Sequence, residues 1–309
     1  MMKILVTGAS GLLGLNFALQ FHAVHQISGV VHHNPLKQAP FEQITADLSD
    51  ADALARVLQQ TQPEVVLHCA ALANVDACER QPEYAMRVNR DLPAALAKAA
   101  LRDGFHLVHL STDAVFDGQR GDYREDDLPN PLGAYARSKL AAEQAVLEAC
   151  PQALVARVNF YGWSLSGRRS LGEFFYTNLK NSQPVKGFSD VFFCPLEATL
   201  LAEVLLRLAE LRASGIYHVV SSQCLSKYEF GLAIARAFGL DGDLIAPVSV
   251  REGGLVAQRS PNLRLRTDKL RAALGQPAPD QAAGLERFHQ LFISGHPQRI
   301  QVMADRRVS

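Results

Sequence analysis

The sequence has few of the features that build basic nucleic-acid-binding surfaces or membrane spans. Lys plus Arg and Asp plus Glu are both 31 in 309 residues, so the formal charge is zero, and there is one tryptophan. Without a basic run, nucleic acid is not an expected partner. No apolar run is long enough for a transmembrane helix, so no membrane partner is expected either.

Cysteine is also scarce. The five cysteines are odd in number, widely spaced and free of any C-x-x-C pair. This pattern is more typical of reduced thiols in a cytoplasmic protein than of disulfides or zinc ligands. We therefore predict a cytoplasmic protein with free thiols at Cys69, Cys78, Cys150, Cys194 and Cys224.

Hydrophobic residues make up 48% of the chain, which is enough for a sizeable core. Apolar runs alternate with helical patterns in the first 160 residues, which predicts a doubly wound parallel α/β sheet. The predicted strands are Lys3–Val6, Gln26–Val31, Glu64–His68, His106–Leu110 and Ala153–Val158. The predicted helices are Leu12–Phe21, Asp50–Gln60, Glu83–Arg102, Ala134–Glu148, Leu196–Leu211 and Lys227–Phe238.

The alternation weakens beyond Phe160, where glycine- and serine-containing loops become frequent. We predict a sheet domain over residues 1–160 and a smaller lobe over 161–296, with some segments of the lobe returning to the sheet. A polar tail is expected over 297–309.

A glycine-punctuated turn, Thr7-Gly-Ala-Ser-Gly-Leu-Leu-Gly14, links the first predicted strand to the first helix. Gly8 and Gly11 permit close approach of a pyrophosphate, and Gly14 lets the helix pack tightly on the sheet. The helix N-terminus attracts an anion. The spacing is GxxGxxG rather than GxGxxG, and three glycines can also be ordinary loop punctuation. Because a strand precedes the turn and a helix follows it, the turn predicts a dinucleotide-binding site.

A second group of reactive residues follows the fourth strand. Thr112 lies at the carboxyl end of that strand, where open α/β sheets bind ligands, and Tyr135 and Lys139 share one face of the next helix. We expect the Lys139 ammonium to lower the pKa of Tyr135 toward a value useful for proton transfer. Taken alone, such a pair is more typical of an exposed helix face. With Thr112 and the glycine turn, it predicts hydride transfer to a carbonyl, with Tyr135 as the proton donor.

The end of the second strand indicates which dinucleotide is preferred. An acidic residue there would hold the ribose hydroxyls of NAD, but the chain has His32-His33-Asn34, with Lys37 nearby. This favours NADP(H) over NAD(H), although one of the two histidines is expected to be an exposed loop residue. Asp47 is expected to contact the adenine. His68 and His109 lie in apolar strands and are expected to be core residues, so no metal site is predicted.

Six motifs occur in an order known from one protein family. They are Thr7–Gly14, Asp47–Leu48, His68–Asp76, Val88–Asn89, Ser111–Gly118 and Tyr135–Lys139. In this order they resemble the extended short-chain dehydrogenase/reductases. The stretches Ala71–Glu79 and Ser111–Gly118 most resemble the dTDP-4-dehydrorhamnose reductases and their sugar-nucleotide-binding relatives, and the likeness extends from Lys3 to Leu274.

The resemblance implies a Rossmann-type fold with a smaller C-terminal substrate-binding lobe, and Thr112, Tyr135 and Lys139 as the catalytic residues. The residues expected to bind the cofactor are Gly8, Ser10, Gly11, Leu12, Leu13, Gly14, His32, Asp47, Leu48, Ala70, Ala71, Ala73, Asn89, Tyr135 and Lys139. The residues expected to bind the substrate are Asn74, Asp113, Ala114, Val115, Phe160 and Arg264.

Two departures from the reductase pattern concern the substrate pocket. Ala114 stands where the reductases usually carry an aromatic residue, and Asn159–Gly162 replaces their Ser-Trp-x-Tyr-Gly segment. The lost stacking area weakens the case for a deoxythymidine-linked sugar specifically. Arg264 resembles a family residue near the nucleotide diphosphate, and a surface arginine is an equal alternative.

The resulting hypothesis is an NADPH-dependent reductase of a keto sugar, a small-molecule substrate that we expect to be nucleotide-linked. An epimerase of the same superfamily is one alternative. A non-catalytic dinucleotide-binding regulator, similar to the regulatory subunit of methionine adenosyltransferase, is another. Dehydration is disfavoured because the dehydratases carry Glu at the position of Ala114. A homodimer remains open, since helices that flank such sheets often form dimer interfaces.

Overall fold

A computed structural model describes residues 1–252 and 260–304 of the chain. Within these residues the strands are β1 (Lys3–Thr7), β2 (Gln26–Val31), β3 (Glu42–Thr45), β4 (Val65–His68), β5 (His106–Thr112), β6 (Leu154–Val158), β7 (Phe160–Tyr161), β8 (Val185–Phe188), β9 (Phe192–Phe193), β10 (Leu196–Glu197), β11 (Gly215–Val219), β12 (Leu225–Ser226) and β13 (Ile245–Val248). The helices are α1 (Leu12–Phe21), α2 (Ala51–Thr61), α3 (Val75–Arg80), α4 (Pro82–Met86), α5 (Leu92–Asp103), α6 (Ala134–Ala149), α7 (Leu171–Lys180), α8 (Ala198–Glu210), α9 (Lys227–Phe238), α10 (Asp268–Leu274), α11 (Gln281–Ile293) and α12 (His296–Gln301). None of these helices is long and apolar enough to cross a membrane.

Seven parallel strands form the central sheet, in the order β11-β6-β5-β4-β1-β2-β3. In β1, Ile4 and Val6 pack into the core on one face, with α1 and α8, while Leu5 packs on the other face, with α5 and α6. A parallel sheet is covered by helices on both faces, which is why continuous apolar runs mark its strands. The predicted doubly wound α/β fold is confirmed.

Residues after β6 build a second lobe and also return to the central sheet. β11 pairs in parallel with β6, with Ile216 opposite Val155. The lobe also contains three two-stranded sheets, formed by β7 with β10, β9 with β12 and β8 with β13. The domain boundary at residue 160 stays a prediction. Of the predicted tail over 297–309, residues 297–301 belong to α12, and 305–309 lie outside the described residues.

The helix predicted over 83–102 is broken by a π-helical turn at Arg87–Asp91, between α4 and α5. Pro93 supplies a physical reason, because it has no N–H to donate to the carbonyl of Asn89 and its ring would crowd that carbonyl in a regular helix. The turn buries the Asn89 side chain, whose Nδ2 donates to Ser138 Oγ at 2.9 Å. A π-helical turn holds one residue more than an α-helical turn, and the hydrophobic periodicity of the sequence does not reveal it.

Two smaller predictions also differ from the structure. Leu196 and Glu197 form β10, so that α8 begins at Ala198 rather than at Leu196. β3 was not predicted, because Glu42–Thr45 is largely polar and forms the edge strand of the sheet. An edge strand with solvated positions carries little of the apolar signal that marks the inner strands.

The prediction of five free thiols is wrong for two cysteines. Cys194 and Cys224 form a disulfide with their Cα atoms 4.0 Å apart, whereas Cys69, Cys78 and Cys150 are free. The bond links the antiparallel strands β9 and β12, in which Phe193 pairs with Leu225. Sequence spacing could not reveal this pair, because 30 residues separate the cysteines and only strand pairing brings them together.

We predict that this disulfide stabilises the fold. Reduction opens a loop closed over a sequence separation of 30 residues, and chain entropy then lowers the free energy of unfolding by about 3–4 kcal/mol. Urea unfolding of the wild-type protein with and without a thiol reductant measures the change. Cys224→Ser is the control, since reductant should leave its stability unchanged. Equal stability of the wild-type protein in both conditions would contradict the prediction.

Candidate functional site

The glycine turn between β1 and α1 is held by backbone contacts that leave no room for side chains. Gly8 has φ +66°, and a Cβ at this position would lie 2.8 Å from the backbone nitrogen of Ala70. A Cβ at Gly14 would lie 2.5 Å from the carbonyl oxygen of Gly8. Gly11 is the N-cap of α1, and no side chain of the described residues caps that helix. The first N–H groups of α1 are therefore available to an anion.

One cavity, which we name the β2 cavity, opens beside this turn at the carboxyl end of β2. Its volume is about 240 Å³. Six of the residues predicted to bind the cofactor line it: Gly8, His32, Asp47, Leu48, Ala70 and Ala71. His32 Nε2 lies 4.0 Å from Asp47 Oδ2. Hydrogen bonds from the Ser49 hydroxyl and N–H, at 2.7 and 2.9 Å, lower the pKa of Asp47.

A second cavity, the β5 cavity, lies at the carboxyl ends of β4, β5 and β6 and has a volume of about 250 Å³. It brings together all three predicted catalytic residues, Thr112, Tyr135 and Lys139. The predicted residues Ala70, Ala71, Ala73, Asp113 and Phe160 also line it. Ala70 and Ala71 border both cavities, so one extended ligand can cross from the β2 cavity to the β5 cavity.

Lys139 is buried at the base of the β5 cavity. Its Nζ donates to the carbonyl of Leu110 at 2.5 Å and lies 3.4 Å from His109 Nε2. An ammonium has only donors, so Nε2 of the neutral imidazole accepts in this contact. Burial lowers the pKa of Lys139 to about 8, and the Glu143 carboxylate opposes this shift. The side chain is therefore largely an ammonium at neutral pH.

The structure corrects the expectation for Tyr135. Its pKa is raised to about 12, first by burial and then by the Asp113 carboxylate, whereas a hydrogen bond with Thr112 opposes the shift. The ammonium that was expected to lower this pKa is instead directed to Leu110. At neutral pH, Tyr135 is therefore a phenol that can donate a proton.

Asp113 is a second buried acid beside Tyr135. Asn159 Nδ2 donates to its Oδ2 at 2.5 Å, and Thr112 Oγ1 donates to its Oδ1 at 3.1 Å. Burial raises the pKa of Asp113 to about 6, against the effect of these two hydrogen bonds and of Lys227. The sequence predicted Asp113 and Phe160 as substrate-binding residues. It did not predict the hydrogen bond from Asn159, the residue that follows β6.

Asn89, expected to bind the cofactor, lies behind the wall of the site. Its Oδ1 accepts from Leu72 N at 2.8 Å, and its Nδ2 donates to the Leu72 carbonyl and to Ser138. Both ends of the amide are thus used within the protein. Asn89 supports the loop after β4 and the helix that carries Tyr135.

A third, smaller cavity continues outward from Tyr135 and Asn159; we name it the outer cavity. Its volume is about 170 Å³, and Ala114, Phe192 and Lys227 line it. Arg264 does not line it, but its guanidinium lies 3.9 Å from the ring centre of Phe192. Ala114, which stands where the reductases usually carry an aromatic residue, therefore borders open space in the outer cavity.

The remaining predicted residues lie elsewhere. Asn74 is exposed and caps α3 by accepting from Ala77 N at 2.8 Å. Val115 is fully buried in an apolar cluster, and the Leu13 side chain is buried in the main core. Ser10 and Leu12 line a larger cavity on the other side of the glycine turn. Local sequence could not distinguish these positions from those whose side chains reach the β2 and β5 cavities.

Sequence reasoning missed a buried ion pair beneath the site. Arg157 Nη2 contacts Glu143 Oε2 at 2.8 Å, and both side chains are 2% exposed. Ser111 Oγ donates to Glu143 Oε1 at 2.5 Å. The only sequence signals were a glutamate in a helix and an arginine within an apolar strand.

Comparison with known proteins covers nearly the whole chain. The profile of the family described as RmlD substrate binding domain matches residues 2–293. Methionine adenosyltransferase 2 subunit beta of Danio rerio is 34% identical over 277 residues, which are 87% of this chain and 84% of that protein. The probable low-salt glycan biosynthesis reductase Agl14 of Haloferax volcanii is 32% identical over 294 residues, which are 92% of this chain and 97% of that protein.

Solved structures agree with these matches. The dTDP-4-dehydrorhamnose reductase of Bacillus anthracis in complex with NADP superposes with a TM-score of 0.81 and is 26% identical, covering 95% of this chain and 99% of that one. The resemblance indicated by the six motifs is confirmed.

We predict that Gly14→Ala destabilises the protein through the glycine turn. The added Cβ would lie 2.5 Å from Gly8 O and 3.1 Å from Ala9 Cα, both backbone atoms, so we expect the free energy of unfolding to fall by about 1–3 kcal/mol. Gly242→Ala is the control, because its nearest neighbour is the tip of Leu232 at 3.3 Å. We expect it to change stability by less than about 0.5 kcal/mol. Urea unfolding compares the variants, and equal stabilities would contradict the prediction.

Proposed function

Because the chain belongs to the RmlD substrate binding domain family, we propose that it is a reductase of a keto sugar carried on a nucleotide, with NADPH as the hydride donor. The observation that carries this proposal is the β5 cavity. Thr112, Tyr135 and Lys139 all line it, and Ala70 and Ala71 in the loop after β4 line both this cavity and the β2 cavity beside the glycine turn. The phosphate-binding turn and the proton donor are thus reached by a single dinucleotide.

The residues present fit such a dinucleotide. α1 follows Gly11 without a side-chain cap among the described residues, so the first N–H groups of the helix can bind a pyrophosphate. The end of β2 has His32 and His33, and an acid that would hold the hydroxyls of an unphosphorylated ribose is not present there. The complex of the B. anthracis relative with NADP supports the same choice.

The side chains of the β5 cavity can complete the reduction of a carbonyl. When bound, the reduced nicotinamide supplies a hydride to the carbonyl carbon. The Tyr135 hydroxyl donates its proton to the carbonyl oxygen, which becomes the hydroxyl of the product. Thr112 Oγ1 orients that oxygen, and its hydrogen bond with Tyr135 favours the phenolate that is left. The Lys139 ammonium is assigned to the ribose of the cofactor. Because its pKa is raised, Tyr135 is protonated at neutral pH, so its proton is available when negative charge develops on the carbonyl oxygen.

One other function has specific support, and the epimerase stays an alternative from the sequence. The 34% identity to methionine adenosyltransferase 2 subunit beta favours a non-catalytic regulator. An epimerase of the same superfamily would use the same residues but would consume no reduced cofactor overall. Retention of Thr112, Tyr135 and Lys139 in one cavity supports catalysis. A cytoplasmic location and a homodimer stay predictions.

We expect Tyr135→Phe to abolish most turnover in a protein that still binds the cofactor. Removal of a general acid lowers kcat by about 100- to 10,000-fold. The assay follows the loss of reduced-nicotinamide absorbance with a panel of 4-keto sugars linked to dTDP, UDP or GDP. Calorimetry checks that the variant still binds NADPH.

Tyr217→Phe is the matched control, since Tyr217 lies on edge strand β11, outside the three cavities. It should retain wild-type turnover. Full turnover by Tyr135→Phe would contradict the assigned role of Tyr135. If no keto sugar oxidises NADPH but a methionine adenosyltransferase is stimulated, the chain is a regulator.

The pKa of Lys139 predicts the pH dependence of reduction. The ammonium is present below about pH 8 and is lost as the pH rises through that value. kcat/KM reports the ionisation of the free enzyme, and we expect it to fall about tenfold per pH unit above about pH 8. Asp113→Asn should leave the alkaline limb in place, because Asp113 is not a cause of the Lys139 shift. A profile that stays flat to about pH 9.5, or a limb that moves with Asp113→Asn, would refute the assignment to Lys139.

A further inference from the structure

The loop between β7 and α7 is built around one buried carboxylate, that of Glu173. This side chain is 1% exposed. It accepts hydrogen bonds from the backbone N–H groups of Ser164 at 2.6 Å, Arg169 at 2.8 Å and Ser170 at 3.0 Å, and from the Ser164 hydroxyl at 2.8 and 2.9 Å. These contacts fix both ends of the loop over residues 164–170. The side chain of Arg169 therefore projects from a preformed backbone.

This loop faces the glycine turn across a cavity of about 490 Å³, which we name the loop cavity. Ser10 lines it from the glycine turn, His33 and Asn34 line it from the end of β2, and Arg169 lines it from the opposite lobe. His33 also lines the β2 cavity. The two cavities thus meet at the end of β2, where the adenosine ribose of a dinucleotide lies in this class of fold.

The loop cavity has the charge of an anion site. Among the described residues that line it, Arg169 carries the permanent charge and none is acidic. Ser10 and Asn34 add a hydroxyl and an amide, both of which can donate to phosphate oxygens. A guanidinium is always charged and presents a planar fork of donors that matches a phosphate. The ring centres of His32 and His33 lie 3.7 Å apart, and His32 Nε2 lies 4.0 Å from Asp47 Oδ2.

We propose that Arg169 binds the 2′-phosphate of the cofactor's adenosine ribose and so selects NADPH over NADH. This inference rests on the proposed function, because it needs a dinucleotide in the β2 cavity. It assigns part of the cofactor choice to the second lobe rather than to the end of β2 alone. A phosphorylated ribose then bridges the two lobes across the glycine turn.

The test compares Arg169→Gln with Arg168→Gln by calorimetry. Both arginines are exposed neighbours in the same loop, but only Arg169 lines the loop cavity. The probes are NADPH, NADH, 2′,5′-ADP and 5′-ADP. We expect Arg169→Gln to raise the Kd for NADPH and 2′,5′-ADP by about 10- to 100-fold, as for a lost charge-assisted hydrogen bond. The Kd values for NADH and 5′-ADP should change by less than about threefold, and Arg168→Gln should change none of the four.

Arg169→Lys adds a graded check, because an ammonium keeps the charge but loses the fork, so its affinity for NADPH should fall between those of the wild type and Arg169→Gln. Equal weakening of NADPH and NADH by Arg169→Gln would place Arg169 on the diphosphate and overturn this inference while leaving the proposed function in place. Unchanged NADPH binding would overturn it as well. If the wild-type protein binds no dinucleotide, the proposed function and this inference both fall. Retained binding of NADH by Arg169→Gln shows that the variant is folded.

Discussion

The ion pair between Glu143 and Arg157 is the interaction on which the geometry of the β5 cavity depends. Glu143 is on α6, which carries Tyr135 and Lys139, and Arg157 is on β6. The same carboxylate accepts from Ser111, the residue before Thr112. The Glu143 carboxylate therefore ties the helix that carries Tyr135 both to β6 and to β5, the strand that carries Thr112.

Such a pair resists rearrangement more than it adds stability. Removing one partner from a buried ion pair costs about 3–5 kcal/mol, because the other charge is left without compensation. The Arg157 guanidinium also lies 5.0 Å from the Phe116 ring centre, so it supports the segment that follows Asp113. Movement of α6 relative to β5 would separate these charges and leave them buried without a partner. The relative positions of Thr112 and Tyr135 are thus fixed before any ligand arrives.

Much of the fold, and the meeting of Thr112, Tyr135 and Lys139 in one cavity, could be predicted from the sequence, because their signals are local. Buried parallel strands appear as apolar runs, the glycine turn as three glycines between a strand and a helix, and Tyr135 and Lys139 as an i, i+4 pair. The features that were missed depend on residues distant in the chain. Arg169 faces Ser10 across the lobes, and Cys194 meets Cys224 only after β9 and β12 pair. The direction of the Tyr135 pKa shift was wrong for the same reason, since it depends on burial and on Asp113, which helix spacing does not report.

The π-helical turn at Arg87–Asp91 has a consequence for how this chain tolerates changes of length. Its wider coil holds one residue more than a regular helix would over the same path. A single-residue deletion there would restore an ordinary helix and so could be accommodated by the backbone. It would also rotate Asn89 by about 100° around the helix axis, away from Leu72 and Ser138. The shortened chain would therefore lose the side chain that braces the loop after β4.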